Sequence, residues 1–148
     1  MALSGFQVVV LPDASWFERR ATIDALTEHG FAVLDLDTTV EAKAICAALL
    51  RASLLPPIVV IARGDACLTL PAVALSLRTQ HRDTCGYVLV DPDAPPATDT
   101  WPESPVSVVS STEATGTSLR GWSVVRSEGN VPELVSRMVD EFLQPRGS

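Results

Sequence analysis

The residues of this chain best suited to chemistry are acids and one arginine that follow predicted strands. Asp13 follows an apolar run at 6–11, and Arg63 and Asp65 follow a run at 58–62. Asp93 and Glu113 follow two later runs. Ligands of parallel sheets bind outside the carboxyl ends of the strands, so we expect these side chains to share one rim. Two interpretations stay open: a solvated rim with an arginine–carboxylate pair, or a polar crevice that binds a ligand.

Four further residues complete this rim. Gly64 lies in the turn after the third strand, Trp16 lies beside the loop after the first, and Asn130 precedes the last helix. Cys67 is the strongest nucleophile near the turn, but no histidine is placed to activate it, so a packed small side chain is the simpler interpretation. We assign no catalytic residue. The candidate binding residues are Asp13, Trp16, Arg63, Gly64, Asp65, Cys67, Asp93, Glu113 and Asn130.

The spacing of the histidines and cysteines argues against a metal site. His29 and His81 lie far apart and form no ligand pattern with Cys46, Cys67 and Cys85. We therefore expect no metal and no cofactor. Three widely spaced cysteines are typical of reduced thiols, which favours the cytoplasm.

The elements that must position the rim alternate between strands and helices. Capping-box pairs at Ser15/Glu18, Thr38/Glu41 and Asn130/Glu133 predict three helix starts, and a fourth helix spans about 70–80. This order predicts an α/β fold: a three-layer sandwich with a mainly parallel six-stranded sheet flanked by helices. The predicted strands lie at 6–11, 31–36, 58–62, 87–90, 106–109 and 122–125.

Length and composition limit the classes of protein. The 148 residues, 47% of them hydrophobic and 20% charged, fit one globular domain, which we place at 1–144 with a disordered tail at 145–148. A net charge of −7 argues against nucleic acid as a partner. The chain start lacks the pattern of a signal peptide, and no apolar run reaches membrane length, so we expect no membrane partner.

The order of several segments resembles the α/β-hydrolase superfamily. The strand and loop at 8–16, the strand at 87–92, the strand at 105–109 and the last helix at 132–143 carry the similarity. The resemblance implies a reduced, lidless hydrolase core without the two leading strands of the family. It also implies a sheet with the second strand at one edge, followed by the first, third, fourth, fifth and sixth.

The catalytic positions depart from the family pattern. Gly64, or Ala66 in a later register, stands at the nucleophile position, and glycine there would relieve the strain of a positive φ. The acid position falls on Ala114, with Glu113 one residue away, and the histidine position falls on Asn130. Asp13 replaces part of the oxyanion loop, where a carboxylate would repel developing negative charge. We therefore expect no serine-hydrolase activity.

Three functions remain open. The favoured one is a catalytically degenerate hydrolase relative that binds a small molecule or a protein partner. The alternatives are a non-hydrolytic enzyme, of cyclase or lyase type, that uses rim carboxylates, and a dimeric scaffold or accessory subunit. A missing lid would expose apolar surface and a sheet edge, which favours a homodimer. The Ala-, Val- and Arg-rich composition is typical of a bacterial protein.

Overall fold

The computed structural model describes residues 5–39, 41–92, 101–102, 104–111 and 122–144. Within them the chain forms six strands, four α-helices and one 3₁₀ helix. The strands are β1 Phe6–Val10, β2 Val33–Asp35, β3 Leu54–Arg63, β4 Thr84–Val90, β5 Val106–Ser110 and β6 Ser123–Arg126. The helices are α1 Arg19–Glu28, α2 Ala42–Arg51, the 3₁₀ helix Gly64–Thr69, α3 Leu70–Thr79 and α4 Val131–Leu143.

All six strands form one sheet in the order β2-β1-β3-β4-β5-β6, and every neighbouring pair is parallel. The predicted fold class is thereby confirmed, and so is the strand order. Strand β1, second from one edge of the sheet, pairs with β2 through Val8 and Val33, and with β3 through Val8 and Val59. The chain direction across the sheet reverses at β1, which makes the space above β1 and β3 the switch point of the fold.

Two apolar cores, one on each face of the sheet, explain the continuous apolar runs in the strands. Val8 and Val10 pack with α1 and α4 on one face. Val9 and Leu11 pack with α2 and α3 on the other. Side chains alternate between the faces of a strand, and a sheet covered on both faces therefore needs apolar residues at successive positions.

The three predicted capping boxes do not form, because the side chains of Ser15, Thr38 and Asn130 bond to other groups. Helix α1 begins at Arg19 rather than after Ser15, whose hydroxyl donates instead to Asp13. Helix α2 begins after Glu41, whose side chain makes no capping bond. Asn130 holds the N-cap position of α4, but its Oδ1 accepts the backbone N–H of Glu128. Short polar side chains can bond to nearby groups outside the helix, and such a bond takes the place of the capping bond.

Other sequence expectations fall partly outside the described residues. The tail at 145–148 and most of the loops predicted at 91–103 and 110–120 lie outside them. Strand β3 begins at Leu54, earlier than the predicted start at Ile58, and includes Pro56 and Pro57, which are exposed.

Among the helices that the structure describes, none combines the length and the apolar character needed to cross a membrane.

One arginine joins α1 to the carboxyl ends of β1 and β2. The Nε of Arg19 donates to the carbonyl of Leu11 at 3.1 Å, and its Nη2 donates to the carbonyls of Val10 and Leu36 at 3.1 and 3.0 Å. Its Nη1 lies 2.6 Å from Oδ1 of Asp35, at the end of β2. This clamp fixes the start of the loop that leads from β1 to Asp13.

A glycine in β4 gives α4 its close approach to the sheet. The ring of Phe142 packs directly over Gly86. A Cβ at position 86 would lie 2.5 to 2.6 Å from three atoms of that ring, closer than real contacts allow. The absence of a side chain at Gly86 therefore sets the distance between α4 and the middle of the sheet.

Candidate functional site

A cavity of about 560 Å³ opens at the carboxyl ends of β1, β3, β4 and β5. It lies at the switch point, because the loop after β1 and the turn after β3 form part of its wall. The loops here begin at the carboxyl ends of neighbouring parallel strands. They therefore bring together side chains that are far apart in sequence. The lining is mostly polar and consists of Asp13, Ser15, Arg63, Gly64, Asp65, Ala66, Asp91, Pro92, Ser110 and Ser111.

One wall of the cavity is a bonded cluster of Asp13, Ser15 and Arg63. Oδ1 of Asp13 accepts the N–H of Ser15 at 3.0 Å and its hydroxyl at 2.7 Å. Oδ2 of Asp13 lies 3.3 Å from Nη1 of Arg63, which also donates to the Ser15 hydroxyl at 3.1 Å. The side chains of Asp13 and Arg63 are only 12% and 29% exposed. The predicted arginine–carboxylate pair is therefore present, through one nitrogen rather than the two of a bidentate contact.

The opposite wall is formed by Asp91 and Ser111. Asp91 follows β4, and its carboxylate accepts the N–H of Ser111 at 2.6 Å and the Ser111 hydroxyl at 2.9 Å. Its backbone N–H donates to the carbonyl of Val109 in β5. Asp91 has a φ of +43°, in the left-handed region that few residues other than glycine adopt. These bonds hold its carboxylate at the boundary of β4 and β5.

Between the two walls lies the turn at Gly64. The chain leaves β3 at Arg63, Gly64 has a φ of +56°, and the 3₁₀ helix begins there. The sequence prediction of a positive φ at this glycine is confirmed. An added Cβ would find Oδ2 of Asp13 at 3.8 Å and no closer neighbour, so the position is open toward the cavity.

Of the predicted rim residues, Asp13, Arg63, Gly64 and Asp65 line this cavity. Trp16 and Cys67 do not, because both are buried in the apolar cores on opposite faces of the sheet. Cys67 is therefore packed, as expected for a small apolar side chain.

Asn130 is also absent from the lining. It is exposed at the start of α4 and bonded to Glu128. Asp93 and Glu113, the other two predicted rim residues, lie outside the described residues.

Several lining residues were not among the predicted site residues. Asp91 looked like a turn residue before Pro92, and Ser15 looked like a helix cap. Ser110 and Ser111 follow a predicted strand directly, so the rule that selected Asp13 and Arg63 also selects them. The structure adds the hydrogen bonds that turn the hydroxyls of Ser15 and Ser111 toward Asp13 and Asp91.

No group of three or more histidine, cysteine, aspartate or glutamate side chains is arranged to hold a metal ion within the described residues. The groups that the described lining presents are carboxylates, hydroxyls and one guanidinium. Carboxylate and hydroxyl oxygens accept hydrogen bonds there, and hydroxyls and one guanidinium donate them.

Replacing Gly64 by Ser should lower the free energy of unfolding by about 1 kcal/mol, the usual cost of a side chain in the left-handed region. The cost comes from the backbone alone, because the nearest atom to a new Cβ is at ordinary contact distance. Denaturant unfolding measures it. Gly129, at φ +90° with open space around it, is the matched control, and Gly129→Ser should lose a comparable amount. A loss at Gly64 above roughly 3 kcal/mol would contradict an open position.

Comparisons with known proteins assign no family to the chain. No protein-family model matches it, and no curated protein matches it. The fold and the cavity are therefore the observations on which a functional proposal rests.

Proposed function

We propose that this protein is an α/β-hydrolase-like protein that has lost hydrolytic activity and binds a small polar molecule in the cavity above β1 and β3. One observation carries the proposal: a glycine with a positive φ occupies the turn after β3, at the edge of a cavity of about 560 Å³. In a hydrolase of this kind the nucleophile stands at that turn.

The strand order and the turn support the relation to the hydrolases. The resemblance implies a sheet that runs from the second strand through the first and third to the sixth, and β2-β1-β3-β4-β5-β6 is such a sheet. The resemblance also implies a tight strand-to-helix turn after the third strand. Gly64 provides that turn, and α3 follows the 3₁₀ helix.

Three features of the site oppose hydrolysis. Gly64 has no side chain to attack a carbonyl. Asn130, at the histidine position, cannot take a proton near neutral pH, and it does not line the cavity. Oδ2 of Asp13 lies 3.8 Å from the place of a Cβ at Gly64, and a carboxylate oxygen cannot donate the hydrogen bond that an oxyanion formed there would need.

The size and the lining of the cavity support binding of a small molecule. Cavities that bind small molecules commonly enclose roughly 300–1,000 Å³. The polar groups here come from four different strand ends and converge on one space. Hydrogen bonds among Asp13, Ser15 and Arg63 hold those side chains in place, so a ligand meets a partly ordered surface.

A binding screen and an activity assay test the proposal together. We expect no turnover of short-chain nitrophenyl esters above the uncatalysed rate and no labelling by a fluorophosphonate probe. A panel of small polar compounds, followed by NMR of ¹⁵N-labelled protein, should contain members that shift the amide signals of Gly64 and Ser111.

A blocking variant shows whether binding occurs in the cavity. Ser111 is exposed and lines the cavity, so Ser111→Trp should fill the space and abolish the shifts. Ser123 is exposed at the amino end of β6, away from the carboxyl ends that form the cavity, and Ser123→Trp should leave the shifts unchanged. Ester turnover that the probe abolishes, mapped to Ser15, Ser110 or Ser111, would overturn the loss of activity. A panel with no compound that shifts cavity signals would overturn the binding function.

A further inference from the structure

The positive charge that the described residues bring to the cavity is already matched by a negative one. Arg63 is the single lysine or arginine among the described lining residues. Its Nη1 lies 3.3 Å from Asp13 and 3.1 Å from the Ser15 hydroxyl. An anionic ligand that sought Arg63 would have to compete with the Asp13 carboxylate, which is largely shielded from water.

The carboxylate of Asp91 differs from that of Asp13, because the groups that donate to it are neutral. Asp91 accepts two hydrogen bonds, both from Ser111. A carboxylate has about four lone-pair positions, so Asp91 can accept further bonds from a ligand. Within the part of the chain that the structure describes, no lysine, arginine or histidine lies within ion-pair distance of Asp91. The described lining thus brings a negative charge to the cavity that no described basic side chain balances.

We propose that the ligand is a small organic amine whose ammonium group binds the carboxylate of Asp91. This inference rests on the proposed binding function and names the chemical class of its ligand. Hydrogen bonds between charged groups are stronger than those between neutral groups, and a carboxylate favours a ligand of opposite charge. The Ser111 N–H and hydroxyl hold the Asp91 carboxylate in place before the amine arrives.

Three probes of equal chain length and different charge test the inference. They are 1,4-diaminobutane, 1,4-butanediol and butanedioate, each titrated into ¹⁵N-labelled protein. We expect the diamine to shift the amide signals of Gly64 and Ser111, and the diol and the dicarboxylate to leave them in place. Raising the NaCl concentration should lower the affinity for the diamine, because salt screens the attraction between the ammonium and the carboxylate.

Two isosteric variants assign the effect to Asp91. Asp91→Asn keeps the shape of the side chain and removes its charge, and should weaken diamine binding by about tenfold or more, the range of a charged hydrogen bond. Asp83→Asn makes the same charge change before the amino end of β4, at the opposite end of the strand that Asp91 follows, and should have no effect. If Asp91→Asn does not fold, the unmodified protein decides: the amide signals of Asp91 and Ser111 should shift most with the diamine, and larger shifts elsewhere would contradict the assignment to Asp91.

The outcomes separate this inference from the function on which it rests. The assignment of an amine ligand would be overturned if the diol bound as tightly as the diamine, or if the affinity for the diamine did not change with salt. The site would then be one for polar ligands in general. Dicarboxylate binding in the cavity would overturn the assignment in the same way. If the diamine fails while another compound of the polar panel shifts the cavity signals, the amine class fails alone. If nothing shifts them, both fail.

Discussion

Arg19→Met should lower the free energy of unfolding by roughly 3 kcal/mol, because three backbone carbonyls lose a charged donor at once. Methionine keeps the apolar stem and removes the guanidinium. The carbonyls of Val10, Leu11 and Leu36 stand at the ends of two neighbouring strands, where water replaces Arg19 only in part, since its side chain is 16% exposed. Urea unfolding followed by circular dichroism measures the loss.

Arg20→Met is the matched control for Arg19. Arg20 also contacts Asp35, at 2.6 Å, but its side chain is 65% exposed and it bonds no strand carbonyl. Exposed ion pairs contribute little, so we expect a loss of less than about 1 kcal/mol. Equal losses at both positions would show that the pairing with Asp35, rather than the carbonyl clamp, stabilises the fold.

The same clamp gives stability a dependence on pH. Burial raises the pKa of Asp35, but the hydrogen bonds and charges of Arg19 and Arg20 outweigh it and hold the pKa below its ordinary value of 3.8. A depressed pKa in the folded state stabilises the fold above the unfolded value and loses that effect as pH falls. Asp35→Asn should therefore flatten the decline of stability below about pH 4. An unchanged slope would contradict this role of Asp35.

Gly86→Ala should lower the free energy of unfolding by about 2 kcal/mol, within the usual cost of overpacking a core. The new methyl group would overlap the Phe142 ring, so α4 or the ring must move. Because α4 packs on both α1 and the sheet, a shift of the helix disturbs the whole core on that face. The measurement is again equilibrium unfolding in denaturant.

A double variant identifies the overlap as the cause. Phe142→Ala alone removes apolar contact and should also destabilise the protein. In the combined variant the added methyl meets no ring, so the two losses should sum to more than the double variant shows. Strict additivity would mean that the cost at Gly86 has another origin.

The strands were predictable because the strands of a sheet covered on both faces are short, nearly continuous apolar runs in the sequence. The runs in β1, β3 and β4 are apolar at almost every position, and helices of amphipathic pattern separate them. Helix starts were less predictable. The hydroxyl of Ser15 can accept from a helix N–H or donate to the Asp13 carboxylate. The folded structure, in which it donates to Asp13, determines which bond forms.

The location of the site at the carboxyl ends of the strands was predictable, but the full set of side chains that line it was not. The rule that ligands bind beyond strand ends selects Asp13 and Arg63. It cannot tell that Cys67, in the same turn, points into the core. The bonding of Asp91 to Ser111 depends on β4 and β5 being neighbours, which is a property of the sheet rather than of either segment.

The position of β1 in the sheet has a consequence for the order of folding. Val8 pairs with Val33 in β2 and with Val59 in β3, so the second edge of β1 stays open until the chain has reached β3. Pairing distant segments is slow, because the loop between them must close before the contacts form. During synthesis an apolar strand with one open edge is thus presented before its partner exists. During that interval the unpaired edge of β1 is open to association with other chains.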